Sequence, residues 1–158
     1  MTEDLEIELV GKEANFVPVH KLLVAAFAFM EGRIDPPSSL GRLRPIDLKK
    51  MADDGGCLLA RKGGKLVGCL FLSDQPDCLM IAKLAVAPKR QGQGIGRALV
   101  EGALRVALSL SKPVVRLQTR IELLENHQAF ARLGFVETGR TSHDGYDRPT
   151  SITMEHPL

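Results

Sequence analysis

At 158 residues, with 44% hydrophobic and 25% charged residues and a net charge of +2, the chain has the size and balance of one globular domain with a substantial core. The near-neutral balance, the 4% aromatic content and the lack of Trp argue against a nucleic-acid partner held by charge or base stacking. No apolar run approaches the roughly 20 residues of a membrane span, and the acidic start MTEDLEIEL has neither the basic segment nor the apolar core of a secretion signal. The expectation is a cytoplasmic protein without a membrane partner. Cys57, Cys69 and Cys78, an odd count at wide spacing, read as reduced thiols, and no metal-ligand pattern is expected.

In chain order, residues 5–10 alternate weakly and predict a first strand. Residues 17–30 (VPVHKLLVAAFAFM) are apolar enough to predict a largely buried helix. Residues 33–43 (RIDPPSSLGRL) read as a loop, residues 45–53 as a short helix opened by Pro45, and residues 53–56 as a turn. Strands at 57–62 and 65–72 flank Gly63-Gly64, a two-residue hairpin signal. A strand over 79–87 leads into a helix whose apolar positions are Ile95, Leu99, Ala103, Val106, Ala107 and Leu110. A strand at 114–119, a helix at 125–133 stopped by Gly134, a strand at 135–141 and a closing strand at 150–154 complete the order. With no linker or repeat, residues 1–158 read as one α/β domain: a mixed, twisted sheet of six to seven strands flanked by about four helices.

The segment VAPKRQGQGIGRALV, residues 86–100, carries the strongest functional signal. A strand stops at Pro88, a basic glycine-dense turn follows, and a helix starts. Unsatisfied N–H groups and the dipole at a helix N-terminus make an anion site, and glycines let the main chain approach it. The dinucleotide pattern G-x-G-x-x-G fails, because its third glycine falls on Arg97 or Leu99. The P-loop pattern fails for want of Gly-Lys-Ser/Thr after the loop. Q-x-x-G-x-G, Gln91 through Gly96, does fit, and resembles the coenzyme A-binding motif of the GNAT superfamily of N-acetyltransferases. Residues 117–140 (LQTRIELLENHQAFARLGFVETGR) resemble the C-terminal motif of that family, with Asn126 and Phe130 in place before Gly134-Phe135. The resemblance spans about residues 5–156.

The resemblance implies acetyl transfer from acetyl-CoA to a primary amine of a small molecule or peptide, by direct attack on the thioester. Gln91, Gly92, Gln93, Gly94, Ile95, Gly96 and Arg97 would hold the pyrophosphate. The strand residues Leu84, Ala85 and Val86 would be bulged and splayed from the neighbouring strand, so that the pantetheine arm pairs with main chain there. The Val86 N–H would donate to the developing oxyanion, while the side chains of Leu84 and Val86 pack in the core. Asn126 and Phe130 would line the coenzyme, although Asn126 serves equally as a helix N-cap. A homodimer is the assembly entertained.

An alkylamine has a pKa near 10, so a base is wanted. Glu122, after the strand ending at Thr119, is one candidate; a solvated carboxylate or a salt bridge to Arg120 is the alternative. His127 is a second candidate, or simply a helix-surface histidine. The carboxylate that many family members carry on the strand before the glycine turn is missing; only Lys83 is charged there. The family's thiol-protonating Tyr is replaced by Phe130, which leaves Tyr146, the only tyrosine, as a candidate acid or an ordinary loop residue. Both departures favour an alternative, a non-catalytic acyl-CoA-binding or regulatory module on the same fold. The loops at 33–43 and 143–148 are expected to frame the acceptor.

Overall fold

The computed structural model describes residues 4–158; the first three residues of the acidic start lie outside it. Seven strands form one sheet: β1 (Leu5–Val10), β2 (Cys57–Lys62), β3 (Lys65–Gln75), β4 (Cys78–Val86), β5 (Val114–Arg120), β6 (Val136–Thr141) and β7 (Ser151–Pro157). Four helices accompany them: α1 (Val17–Phe27), α2 (Pro45–Gly55), α3 (Ile95–Ser109) and α4 (Leu124–Arg132). The sheet order is β1-β2-β3-β4-β5-β7-β6. The last strand therefore does not close an edge; β7 enters between β5 and β6, and β6 becomes the edge.

The predicted elements all appear, and the differences have local causes. Pro45 opens α2, where its missing N–H costs nothing, and the Asp47 carboxylate accepts the Arg44 backbone N–H at 2.8 Å. That helix runs on to Gly55, so the turn predicted over 53–56 shrinks to Gly56 at φ 94°. The expectation of a largely buried helix over 17–30 is corrected. Val19, Leu22, Leu23 and Ala26 are buried, but Val17, Val24 and Phe29 face solvent, and the segment after Phe27 tightens into a 3₁₀ turn. Hydrophobicity all round the helix is thus not matched by packing all round it.

Apolar side chains fill both faces of the sheet. Ile95, Leu99 and Ala103 of α3 recur at helical spacing and pack on Leu58, Leu70, Ile81 and Leu117. On the opposite face α1 and α2 bring Val19, Leu23 and Leu48 against Leu59, Cys69 and Phe71. Truncating a residue as buried as Leu99 costs about 2–5 kcal/mol. At Gly68 on β3 a Cβ would stand 3.0 Å from Ile95 Cγ2, 3.0 Å from Leu99 Cδ1 and 3.1 Å from the Ala85 carbonyl oxygen. Only glycine allows α3 this close to the sheet.

Two irregularities in β4 position the site. Parallel pairing with β5 covers only Leu79–Val115, Met80–Arg116 and Ile81–Leu117; beyond it the strands diverge. Pairing with β3 passes from Phe71–Ala82 to Cys69–Ala85, so Lys83 and Leu84 together oppose Leu70. This is a β-bulge, with Lys83 at φ 55°.

Candidate active site

The diverging ends of β4 and β5 open a cavity of about 400 Å³, bounded by Leu84, Thr119, Asn126, Phe130 and the 38–40 turn. The start of α3 packs beside the end of β4, at Val86. Gly94 is the N-cap residue at φ 80°, a left-handed conformation that favours glycine, and Gly92 shares it. The first intrahelical bond is Ala98 N–H to the Gly94 carbonyl at 3.0 Å. The N–H groups of Ile95, Gly96 and Arg97 precede it, and no side chain caps them. A Cβ built at Gly92 or Gly94 would meet nothing within 4 Å, and at Gly96 only Val86 Cγ2 at 3.8 Å. Open space in front of unsatisfied donors fits a diphosphate. The Lys62 ammonium donates to Gln93 Oε1 at 3.1 Å and ties the turn to β2. Arg97 is paired instead with Glu101 at 3.1 Å on the surface.

The main chain of β4 is oriented for the gap. The Ala87 N–H donates to the Val67 carbonyl at 2.8 Å, toward β3. Peptide groups alternate along a strand, so the Val86 N–H and C=O point away from β3, where β5 has already departed. The sequence expectation of bulged, splayed backbone at Leu84, Ala85 and Val86 therefore has a structural counterpart, with the bulge itself at Lys83 and Leu84.

The three candidate acid–base residues lie in or beside a polar network that pins the 33–37 loop. Glu122 Oε2 accepts the Asp35 backbone N–H at 2.9 Å, and its Oε1 is buried without a partner among the described residues. The expected Glu122–Arg120 ion pair does not form. Arg120 donates to the Pro36 and Pro37 carbonyls at 2.8 and 3.4 Å. His127 donates through Nε2 to the Arg120 carbonyl at 2.8 Å. The Tyr146 hydroxyl donates to Asp35 Oδ1 at 2.6 Å, and Arg148 pairs with Asp35 Oδ2 at 2.8 Å. The hydrogen bond to Asp35 holds the Tyr146 pKa above its ordinary value, and desolvation adds to it. Arg33 pairs with Glu125 at 2.7 Å.

Asn126 and Phe130 both line the cavity. Phe130 packs edge-on against Phe135 at 5.8 Å between centroids. The N-cap alternative for Asn126 fails, because α4 starts two residues earlier and Leu123 precedes it. Two further cavity residues, His143 and Lys83, carry no catalytic role in the sequence expectations, although His143 opens the loop expected to frame the acceptor. His143 reaches the wall from the loop before β7, its backbone N–H donating to Thr150 Oγ1 at 2.9 Å and its Nδ1 close against the same oxygen. Lys83 reaches it from the bulge. The available signal was a lone cation inside the apolar run LMIAKLAV. The cysteines are buried and unpaired. Burial pushes the Cys57 thiol up to about 12 and raises Cys69 and Cys78 as well, so none supplies a thiolate nucleophile near neutral pH.

Residues 19–135 match the model of the acetyltransferase (GNAT) family. The chain belongs to the GNAT acetyltransferase family. No curated protein matches it significantly. Among solved structures, the PaiA N-acetyltransferase from Thermoplasma acidophilum in complex with coenzyme A gives a TM-score of 0.80 at 15% identity, over 98% of this chain and 99% of that one. The IAA acetyltransferase from Bacillus cereus ATCC 14579 gives 0.71 at 21% identity, over 98% of this chain and 100% of its own. A GNAT family acetyltransferase from Elizabethkingia anophelis with acetyl-CoA bound gives 0.71 at 19%, over 98% of both chains. At these identities the likeness establishes the GNAT fold alone. The seven strands and four helices of this chain match it.

Proposed function

We propose that this GNAT protein transfers the acetyl group of acetyl-CoA to a primary amine by direct attack on the thioester. One observation carries the reading: the uncapped N-terminus of α3 packs beside Val86, at the end of β4 where β5 has diverged. Neighbours of the same fold crystallised with coenzyme A or acetyl-CoA support it. In this reading the N–H groups of Ile95, Gly96 and Arg97, with Gln91, Gly92, Gln93 and Gly94, hold the diphosphate. Leu84, Ala85 and Val86 pair with the pantetheine through main chain, and Asn126 and Phe130 flank it. The coenzyme supplies an activated thioester; the Val86 N–H, aimed into the gap, donates to the oxygen on which charge develops.

The amine nitrogen forms the C–N bond as the C–S bond breaks, and its proton must leave. Glu122, His127 and Tyr146 were the candidates for the proton steps. Glu122 and Tyr146 are engaged with Asp35, and His127 with the Arg120 carbonyl. His143 is the imidazole on the cavity wall, and in this reading it takes the proton. The thiolate departs with little assistance, since an ordinary thiol pKa is only about 8.5. Three buried, unpaired thiols fit a reducing, cytoplasmic setting.

The test is calorimetry with acetyl-CoA, followed by free-thiol release across an amine panel. Saturable binding and amine-dependent thiol release are expected, with His143→Asn lowering kcat by about 100-fold and flattening the acidic limb of the pH profile. Absence of binding removes the reading. Binding without thiol release favours a non-catalytic acyl-CoA module, the alternative that Phe130 in place of a Tyr supports.

A further inference from the structure

The bulge in β4 places a cation where the strand would otherwise be apolar. Lys83 sits at φ 55°, half-buried, on the wall of the cavity. Its ammonium has no hydrogen bond or ion pair among the described residues. The same wall carries Arg120 and His143 but neither Asp nor Glu. Carboxylates on the surrounding elements face other partners: Asp35 takes Tyr146 and Arg148, Glu125 takes Arg33, and Glu122 takes the Asp35 amide through Oε2 while its Oε1 is buried away from the cavity wall. A half-buried charge without a counter-ion favours any anion that can approach it. Burial in fact pulls the Lys83 pKa below the ordinary lysine value, the direction a bound anion reverses. Bulges recur beside active sites because they re-aim one side chain.

We propose that the acceptor is an amino carboxylate, a free amino acid or a close analogue, whose carboxylate is held by Lys83 while its amine faces the β4–β5 gap. The inference rests on the acyl-transfer reading and specifies its acceptor. A polyamine entering the same cavity would meet Lys83 and Arg120 as like charges and find no carboxylate among the lining residues.

The experiment measures thiol release at saturating acetyl-CoA for amino acids, their C-terminal amides and linear polyamines. It is run on the wild-type protein, Lys83→Met and Lys83→Arg. The best amino acid should exceed its own amide in kcat/KM by about tenfold or more. Lys83→Met should raise KM for that acid by about tenfold or more with little change in kcat, whereas Lys83→Arg keeps most of the preference. Calorimetric affinity for acetyl-CoA should be the same in all three proteins. Turnover of amides or polyamines as efficient as that of acids overturns the proposal, as does an unchanged KM in Lys83→Met or a failure of every amino carboxylate to react. In each of those cases thiol release with another amine leaves the acyl-transfer reading standing; loss of acetyl-CoA binding by the wild-type protein removes both. If Lys83→Met does not fold, the acid-against-amide comparison on the wild type still decides.

Discussion

The two sides of the proposed site are built in different ways. On the proposed coenzyme side the groups are main chain: N–H groups at the start of α3 and the outward peptide of Val86, exposed by glycines and by a strand that leaves its neighbour. On the proposed acceptor side they are side chains from distant segments, with Asp35 joining Tyr146 and Arg148 while Glu122 and Arg120 hold the loop on either side. A backbone site survives most substitutions of its own residues, because the groups that matter belong to no particular side chain. A side-chain site can be rewritten one residue at a time. In the proposed reading the donor side is therefore fixed and the acceptor side variable.

The contrast breaks most sharply at Gly94. A β-branched residue at φ 80° is strained, and relieving that strain would disturb the N-cap turn that leaves the N–H groups of Ile95, Gly96 and Arg97 uncapped. Gly94→Val should weaken acetyl-CoA binding by about 100-fold or more, read by calorimetry on a protein whose circular dichroism is unchanged. Next is Val86→Pro, which deletes the outward N–H and no β3 hydrogen bond. It should lower kcat by about 100-fold with coenzyme affinity within a few-fold of normal. Equal losses in both quantities would mean that the strand has moved, not that a donor was removed.

On the other side, Asp35→Ala should raise acceptor KM by about tenfold and leave acetyl-CoA affinity alone, since it frees Tyr146 and Arg148 together. The smallest effect is spectroscopic. Tyr146 is the only tyrosine and there is no Trp, so tyrosinate absorbance reports this one group. Its titration should lie above the ordinary value of about 10, and Asp35→Asn should bring it back. The matching stability contribution is present below the unfolded pKa and is lost as pH rises through the raised folded value.

The same division explains what could be read from the sequence. Gln91 to Gly96 was legible because a glycine turn, its strand and its helix are contiguous, and their chemistry is that of the backbone. The order of strands and helices was legible for a similar reason: periodicity and turn residues are local. The clamp on the 33–37 loop was not, because Asp35 and Tyr146 are 111 residues apart and Asp35 and Glu122 are 87 apart. Arg120 looked like a partner for Glu122 by proximity in sequence, yet neighbours on a strand end point to different places, and its guanidinium finds carbonyls of the loop. Exposed Val24 and Phe29 misled in another way, since hydrophobicity reports what a residue prefers and not whether a second layer is there to cover it. The position of the bulge at Lys83 depends on pairing with β3, which no single strand encodes.

The missing Cβ at Gly68 acts as a gauge. Ile95 and Leu99 rest on that bare patch of β3 beside the Ala85 carbonyl, so one contact fixes how far the mouth of α3 stands from the peptide of Val86. In the proposed reading a coenzyme of invariant length, held at both places, is measured against that spacing. A methyl group at position 68 would press on Ile95, Leu99 and the Ala85 carbonyl at once, and each would have to give by a few tenths of an ångström.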